Sequence, residues 1–141
     1  MGNRTQGWVA AACLVAIPFV STAVSAGGMD GSKNIVCAVI DVVGCTENGK
    51  CVDGTARTFG VPQFLIMDAD KKVIHADYEA GHKDVSSPVK NIEKSGDHLI
   101  LQGVESGRGW SLAINTKDGT MSVSGIGDAV SFLMFGSCTS I

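Results

Sequence analysis

The sequence predicts an all-β fold: a small antiparallel barrel, or a sandwich, of seven to eight short strands stapled by disulfides. Three observations carry that prediction. Short apolar runs recur between turn signals at intervals of roughly 8–12 residues. No stretch after Ala26 repeats its apolar residues with the period of a long helix. Four cysteines, Cys37, Cys45, Cys51 and Cys138, are spread so that a bridge can join the first strand to the last. Between the two architectures the barrel is favoured, because consecutive strands read as hairpin-linked and closure removes exposed strand edges.

The first 26 of the 141 residues stand apart from that pattern and read as a signal peptide. Arg4 lies in a short polar start, Trp8 to Val20 is uncharged and mostly apolar, and Val24-Ser25-Ala26 is a small-residue cleavage site followed by Gly27-Gly28. An uncleaved anchor is the rival, since Trp8 to Val24, about 17 residues, is near the lower limit for spanning. Cys13 sits too early in that run to carry a lipid. The expectation is therefore an exported protein, periplasmic or secreted, whose remaining cysteines meet an oxidising compartment.

Four cysteines allow three pairings. Cys45 and Cys51 flank Thr46-Glu47-Asn48-Gly49-Lys50, and Asn48-Gly49 favours a reversal that brings the two sulfurs together. Cys37 and Cys138 are then left to pair across almost the whole domain. The Cys45-x5-Cys51 spacing is neither a redox Cys-x-x-Cys nor a usual zinc pattern.

Taken in order, residues 27–34 are glycine-rich and polar, a flexible lead-in to a barrel domain over 35–141. Ile35 to Val43 is an almost continuous β-branched run and reads as a strand buried on much of both faces. Residues 52–61 are mixed and carry no assignment. Pro62 precedes a short strand, Gln63 to Met67, and a charged turn returns the chain through Val73 to Ala76. Residues 77–88 form a polar connection. Val89 to Lys94 is a weak strand, Ser95-Gly96-Asp97 a turn, and His98 to Val104 a strong strand. Next comes the clearest hairpin: Trp110, Leu112 and Ile114 alternate with polar or small residues, Thr116-Lys117-Asp118-Gly119 turns, and Met121 and Val123 resume the alternation. The last strand begins at Val130, and its Phe132-Leu133-Met134-Phe135 has no polar side, so it should lie centrally or be covered on both faces.

Without Arg4 the domain holds ten basic and 14 acidic residues and no basic cluster, which argues against nucleic acid and anionic lipid as partners. No second apolar run is long enough to span a membrane once the signal is removed. No nucleophile sits beside a base in a recognisable motif, so the expectation is a protein that is not an enzyme and needs no cofactor. Asp68-x-Asp70 opens like a calcium loop, but Lys71, Lys72 and Val73 stand where further ligands and a glycine belong. Gly125-Ile126-Gly127 lacks the rest of a dinucleotide fingerprint.

Two groups remain as candidate sites. Ser106-Gly107-Arg108-Gly109-Trp110 combines a tight turn with an arginine and an aromatic residue, a pairing common at binding surfaces, so Ser106, Arg108 and Trp110 are the candidate binding residues. The bland alternative is that Trp110, in register with Leu112 and Ile114, simply fills one end of the core. His75, His82 and Asp84, with Asp77 and Glu79 nearby, are the densest set of metal-ligand types, though their spacing matches no known site class.

The run Glu105-x-Gly107-Arg108-Gly109-Trp110-Ser111 and the ending Phe135-Gly136-Ser137-Cys138-Thr139 resemble small uncharacterised secreted proteins of Gram-negative bacteria. In kind, the chain is also similar to the periplasmic inhibitors of c-type lysozyme, which carry a Ser-Gly inhibitory loop. Ser106-Gly107 matches that dipeptide, while the aromatic residue that usually follows is displaced to Trp110. The sequence thus points to an exported binding protein for an unknown protein or small ligand, with hydrolase inhibition and metal binding as its alternatives.

Overall fold

The computed structural model describes residues 28–77 and 85–141. Among the described residues, nine strands and one short helix follow in chain order: β1 (Ile35–Thr46), β2 (Cys51–Gly54), α1 (Ala56–Phe59), β3 (Phe64–Asp68), β4 (Val73–Asp77), β5 (Val85–Ser95), β6 (His98–Glu105), β7 (Arg108–Asn115), β8 (Thr120–Ile126) and β9 (Val130–Ser140). Every strand pairs antiparallel with its neighbours, and β1 pairs with β9 from Ile35↔Ser140 to Thr46↔Val130. Eight strands, β1 and β3 to β9, therefore close into an up-and-down barrel.

The remaining strand, β2, extends the sheet beside the second half of β1, where Val42↔Gly54 and Cys45↔Cys51 pair. In the first half, β1 pairs β3 instead, from Ile35↔Met67 to Ala38↔Phe64. Of residues 52–61, mixed in sequence, 52–54 belong to β2, and the chain then leaves the sheet and returns to it at Phe64. Thr55 starts α1 by accepting a hydrogen bond from the Thr58 N–H at 3.3 Å, and Gly60 ends it in the left-handed region.

Alternation decides which side chains enter the barrel. Ile35, Cys37 and Val42 on β1, Leu99 and Leu101 on β6, Leu112 and Ile114 on β7, and Met121 and Val123 on β8 are all buried. Among the described residues there are two disulfides, of which the first locks the closure. Cys37–Cys138 spans 101 residues and joins directly opposed positions of β1 and β9. Cys45–Cys51 clips the hairpin that β1 makes with β2. The Cys138 N–H turns away to donate to the Gly119 carbonyl at 2.7 Å. The bridge thus occupies a pair without mutual backbone bonds, where facing strands come closest, and Cα–Cα is 3.9 Å.

Three features depart from the sequence pattern. First, β5 begins at Val85 rather than Val89, because β4 supplies a partner for Ser86, Ser87 and Pro88 that their turn-forming types did not announce. Second, the lead-in carries Met29 into the lower end of the barrel, where it is only 1% exposed. Ser32 and Lys94 hold the adjacent Asp30, and Asn34 accepts from the Ala69 N–H at 2.9 Å. Third, β9 is paired along both edges but its outer face is bare: Leu133 and Phe135 are 45% and 43% exposed, while Phe132 and Met134 turn inward. The period of two places half of any strand outside a barrel, whatever its composition.

The two ends of the barrel differ. Met29 closes the pole formed by the β3–β4, β5–β6 and β7–β8 turns. The groups whose titration is displaced also lie there. The Ser32 hydroxyl and N–H bring the Asp30 pKa down to about 2, with Lys94 adding to the effect. Asp118 is lowered by the Thr120 N–H and hydroxyl, and Asp97 raises Lys117. The opposite pole is open.

Candidate functional site: an open apolar cup

The open pole leads into a cavity of about 720 Å³. Its floor is apolar: Leu65, Ile74, Leu112, Val123 and Met134 reach it from five different strands. Below that floor the barrel is filled by Met29, Ile35, Leu99 and Ile114, so the cavity is a cup and not a channel. An eight-stranded barrel is the size at which the interior is either filled by side chains or holds one small ligand.

Two inward-facing glycines make the room. Gly103 on β6 lies opposite Trp110 on β7, and a Cβ there would sit 2.3 Å from Cζ2 of the indole. The ring lies over that gap and reaches across β6 to β5, where Nε1 donates to the Ser87 hydroxyl at 2.8 Å. On β1, Gly44 plays the same part for Phe59 of α1: a Cβ would approach its ring to 2.6 Å. Phe59 also meets Phe132 edge to face, with centroids 5.8 Å apart and planes at 77°.

Ser87 is the one buried polar side chain among the described residues, 8% exposed. Its oxygen accepts from the indole, which satisfies both groups at an apolar wall. A hydroxyl that accepts in this way retains its own proton for an acceptor inside the cup.

All three candidate binding residues lie at this pole. Trp110 forms part of the cup wall, Arg108 is on the rim, and Ser106 is at the tip of the β6–β7 hairpin. Arg108 runs beside Gly127, where a Cβ would lie 3.4 Å from its Nε. Ser106 and Gly107 form a two-residue turn with φ of 50° and 78°, the positive values that a type I′ hairpin requires. Glu105 and Asp128 place two carboxylates on the same rim.

The metal candidates are not brought together by what is described. His75 is half-buried on the outside of β4, in register with Ile66 and Ser86, facing away from the cup. His82 and Asp84 lie outside the described residues. Among the described residues no three His, Cys, Asp or Glu side chains gather as a metal site would need.

Sequence reasoning singled out the Ser106–Trp110 loop but missed Ser87, Gly103, Gly44 and Phe59. Only the in-register position of Trp110 gave a signal. Its hydrogen-bond partner is 23 residues away, and the glycines resemble ordinary strand or turn glycines until the opposite ring is in place.

Fold and site together define an up-and-down antiparallel β-barrel with one plugged pole and one open, apolar cup. No family model, curated protein or solved structure matches the chain. The two disulfides are compatible with an oxidising compartment. No helix among the described residues is long and apolar enough to cross a membrane.

Proposed function

We propose that this is an exported, non-enzymatic carrier that holds one small, largely apolar molecule inside the open end of its barrel. The observation that carries the reading is the cup: about 720 Å³, within the range of roughly 300–1,000 Å³ usual for small-molecule sites. An apolar floor with a single hydroxyl, Ser87, gives affinity through burial and orientation through one hydrogen bond. Trp110 supplies wall area, while Arg108 and Ser106 contact the part of the ligand that reaches the mouth. The signal-like residues 1–26 and the disulfides support a periplasmic address, with release outside the cell as the alternative.

The test uses the protein itself as the reporter. The chain has two tryptophans, Trp8 and Trp110, so a product cleaved after Ala26 reports from Trp110 alone. N-phenyl-1-naphthylamine should brighten saturably on mixing and quench Trp110 in a one-to-one stoichiometry. Absence of both signals would sink the carrier reading. Native mass spectrometry of protein isolated from the periplasm should show a chain beginning at Gly27 with a retained small molecule.

A second reading draws on the strained hairpin tip. Ser106 is exposed, non-glycine and held at a positive φ, the kind of outlier that marks recognition loops. In this reading the tip inserts into a hydrolase. Inhibition of a c-type lysozyme that vanishes in Ser106→Ala would support it, and undiminished lysozyme activity at a large excess of this protein would remove it.

A further inference from the structure

Resting on the carrier reading, the geometry points to a narrower ligand class: a molecule with a flat, unsaturated ring, held between Trp110 and Phe59. In the ring of eight strands, β6 and β1 are four steps apart in either direction, so they are diametrically opposed. Gly103 and Gly44 stand on these two strands, each near the mouth: Gly103 is two residues before the end of β6, and Gly44 two before the end of β1. Each glycine is covered by an aromatic ring, Trp110 over Gly103 and Phe59 over Gly44. Two aromatic rings therefore line opposite walls of one mouth.

Both rings are fixed. The indole is pinned by its bond to Ser87 across an intervening strand. Phe59 lies across Gly44 and Gly54, where a Cβ would come within 2.6 Å and 2.9 Å of it, and is braced by Phe132. Each ring has spent one side against backbone that lacks a side chain, and both line the cavity. Ordinary apolar walls would hold a saturated chain equally well. Opposed, immobilised rings favour a guest whose own π-face can stack or meet them edge-on, and their rigidity removes the ordering cost that flexible aromatics would pay.

The experiment compares two alcohols with the same carbon skeleton, 2-naphthol and decahydro-2-naphthol, one flat and one puckered. Titration calorimetry on the mature, oxidised protein should show 2-naphthol binding about tenfold more tightly, the scale set by stacking on two faces. Phe59→Leu, checked for an unchanged melting profile, should reduce that ratio to about threefold or less. If the variant fails to fold, the wild-type ratio still decides. Equal affinities for the two alcohols, or no binding of either, overturn the ring inference. Saturable N-phenyl-1-naphthylamine binding in the same sample separates that failure from failure of the carrier reading itself.

Discussion

Replacing Gly103 with alanine tests the wall of the cup directly. The new Cβ would lie 2.3 Å from Cζ2 and 2.5 Å from Cε2 of Trp110, and 2.7 Å from the Pro88 carbonyl oxygen. The carbonyl belongs to a paired strand and yields little, so the indole must swing into the cavity. That movement breaks the 2.8 Å bond to Ser87 and leaves a buried hydroxyl without its donor. Overpacking of this kind costs about 1–3 kcal/mol, and the lost hydrogen bond about 1 kcal/mol more. Relief of glycine's backbone entropy offsets roughly 0.5–1 kcal/mol. The net loss of about 1–3.5 kcal/mol corresponds to a fall in Tm of roughly 4–14 °C for a domain of this size. Circular dichroism melting of the oxidised protein measures the fall, and the Trp110 emission maximum should shift with it. In a Trp110→Leu background the cost of Gly103→Ala should drop by about half or more, because the ring that clashes is gone. A Tm within about 2 °C of wild type, with unchanged emission, would show that the indole does not depend on the missing side chain at Gly103.

The other predictions concern the frame around the cup. Replacing Cys37 and Cys138 together by alanine should cost about 4–5 kcal/mol in the chain-entropy account, against about 2 kcal/mol for Cys45 and Cys51, so denaturant midpoints should fall much further for the first pair. Ser106→Gly should stabilise by about 1 kcal/mol and raise Tm by roughly 4 °C, since glycine adopts the positive φ of that turn freely; an unchanged or lower Tm would show that the turn is not strained. Acid should loosen the plugged pole: the Asp30 pKa is depressed to about 2, so its stabilising effect is present above the ordinary carboxylate pKa and disappears as pH falls through about 2. Asp30→Asn should flatten that part of the pH–stability curve, and an identical acid limb in both proteins would rule out a contribution from this carboxylate.

Much of the barrel is legible in the sequence because its signals are local. The Trp110-to-Val123 alternation about Thr116–Gly119, and the strong His98 to Val104 run, each fix a strand within a few residues. The cysteines extend that local information to the longest distance in the domain, joining the first strand to the last. What stays hidden depends on partners. Ser86-Ser87-Pro88 has the composition of a loop and becomes strand only because β4 lies beside it. The bare outer face of β9 reflects barrel geometry, which exposes Leu133 and Phe135 despite their chemistry. The cup is the extreme case, since it exists where side chains are missing. An inward glycine reads as a weak strand position until a ring from another element is laid across it.

The pairing of Ile35 with Ser140, and the bond from the Ile141 N–H to the Asn34 carbonyl at 2.9 Å, set where the barrel can be handled. The chain enters and leaves the barrel side by side at the plugged pole, as far as the molecule allows from the mouth. A tag, a surface linkage or a fused domain attached at the C-terminus, or ahead of Gly28, would hold the barrel by its base and present the cup outward. Immobilised in this way, every copy shares one orientation, with the open pole turned toward solution.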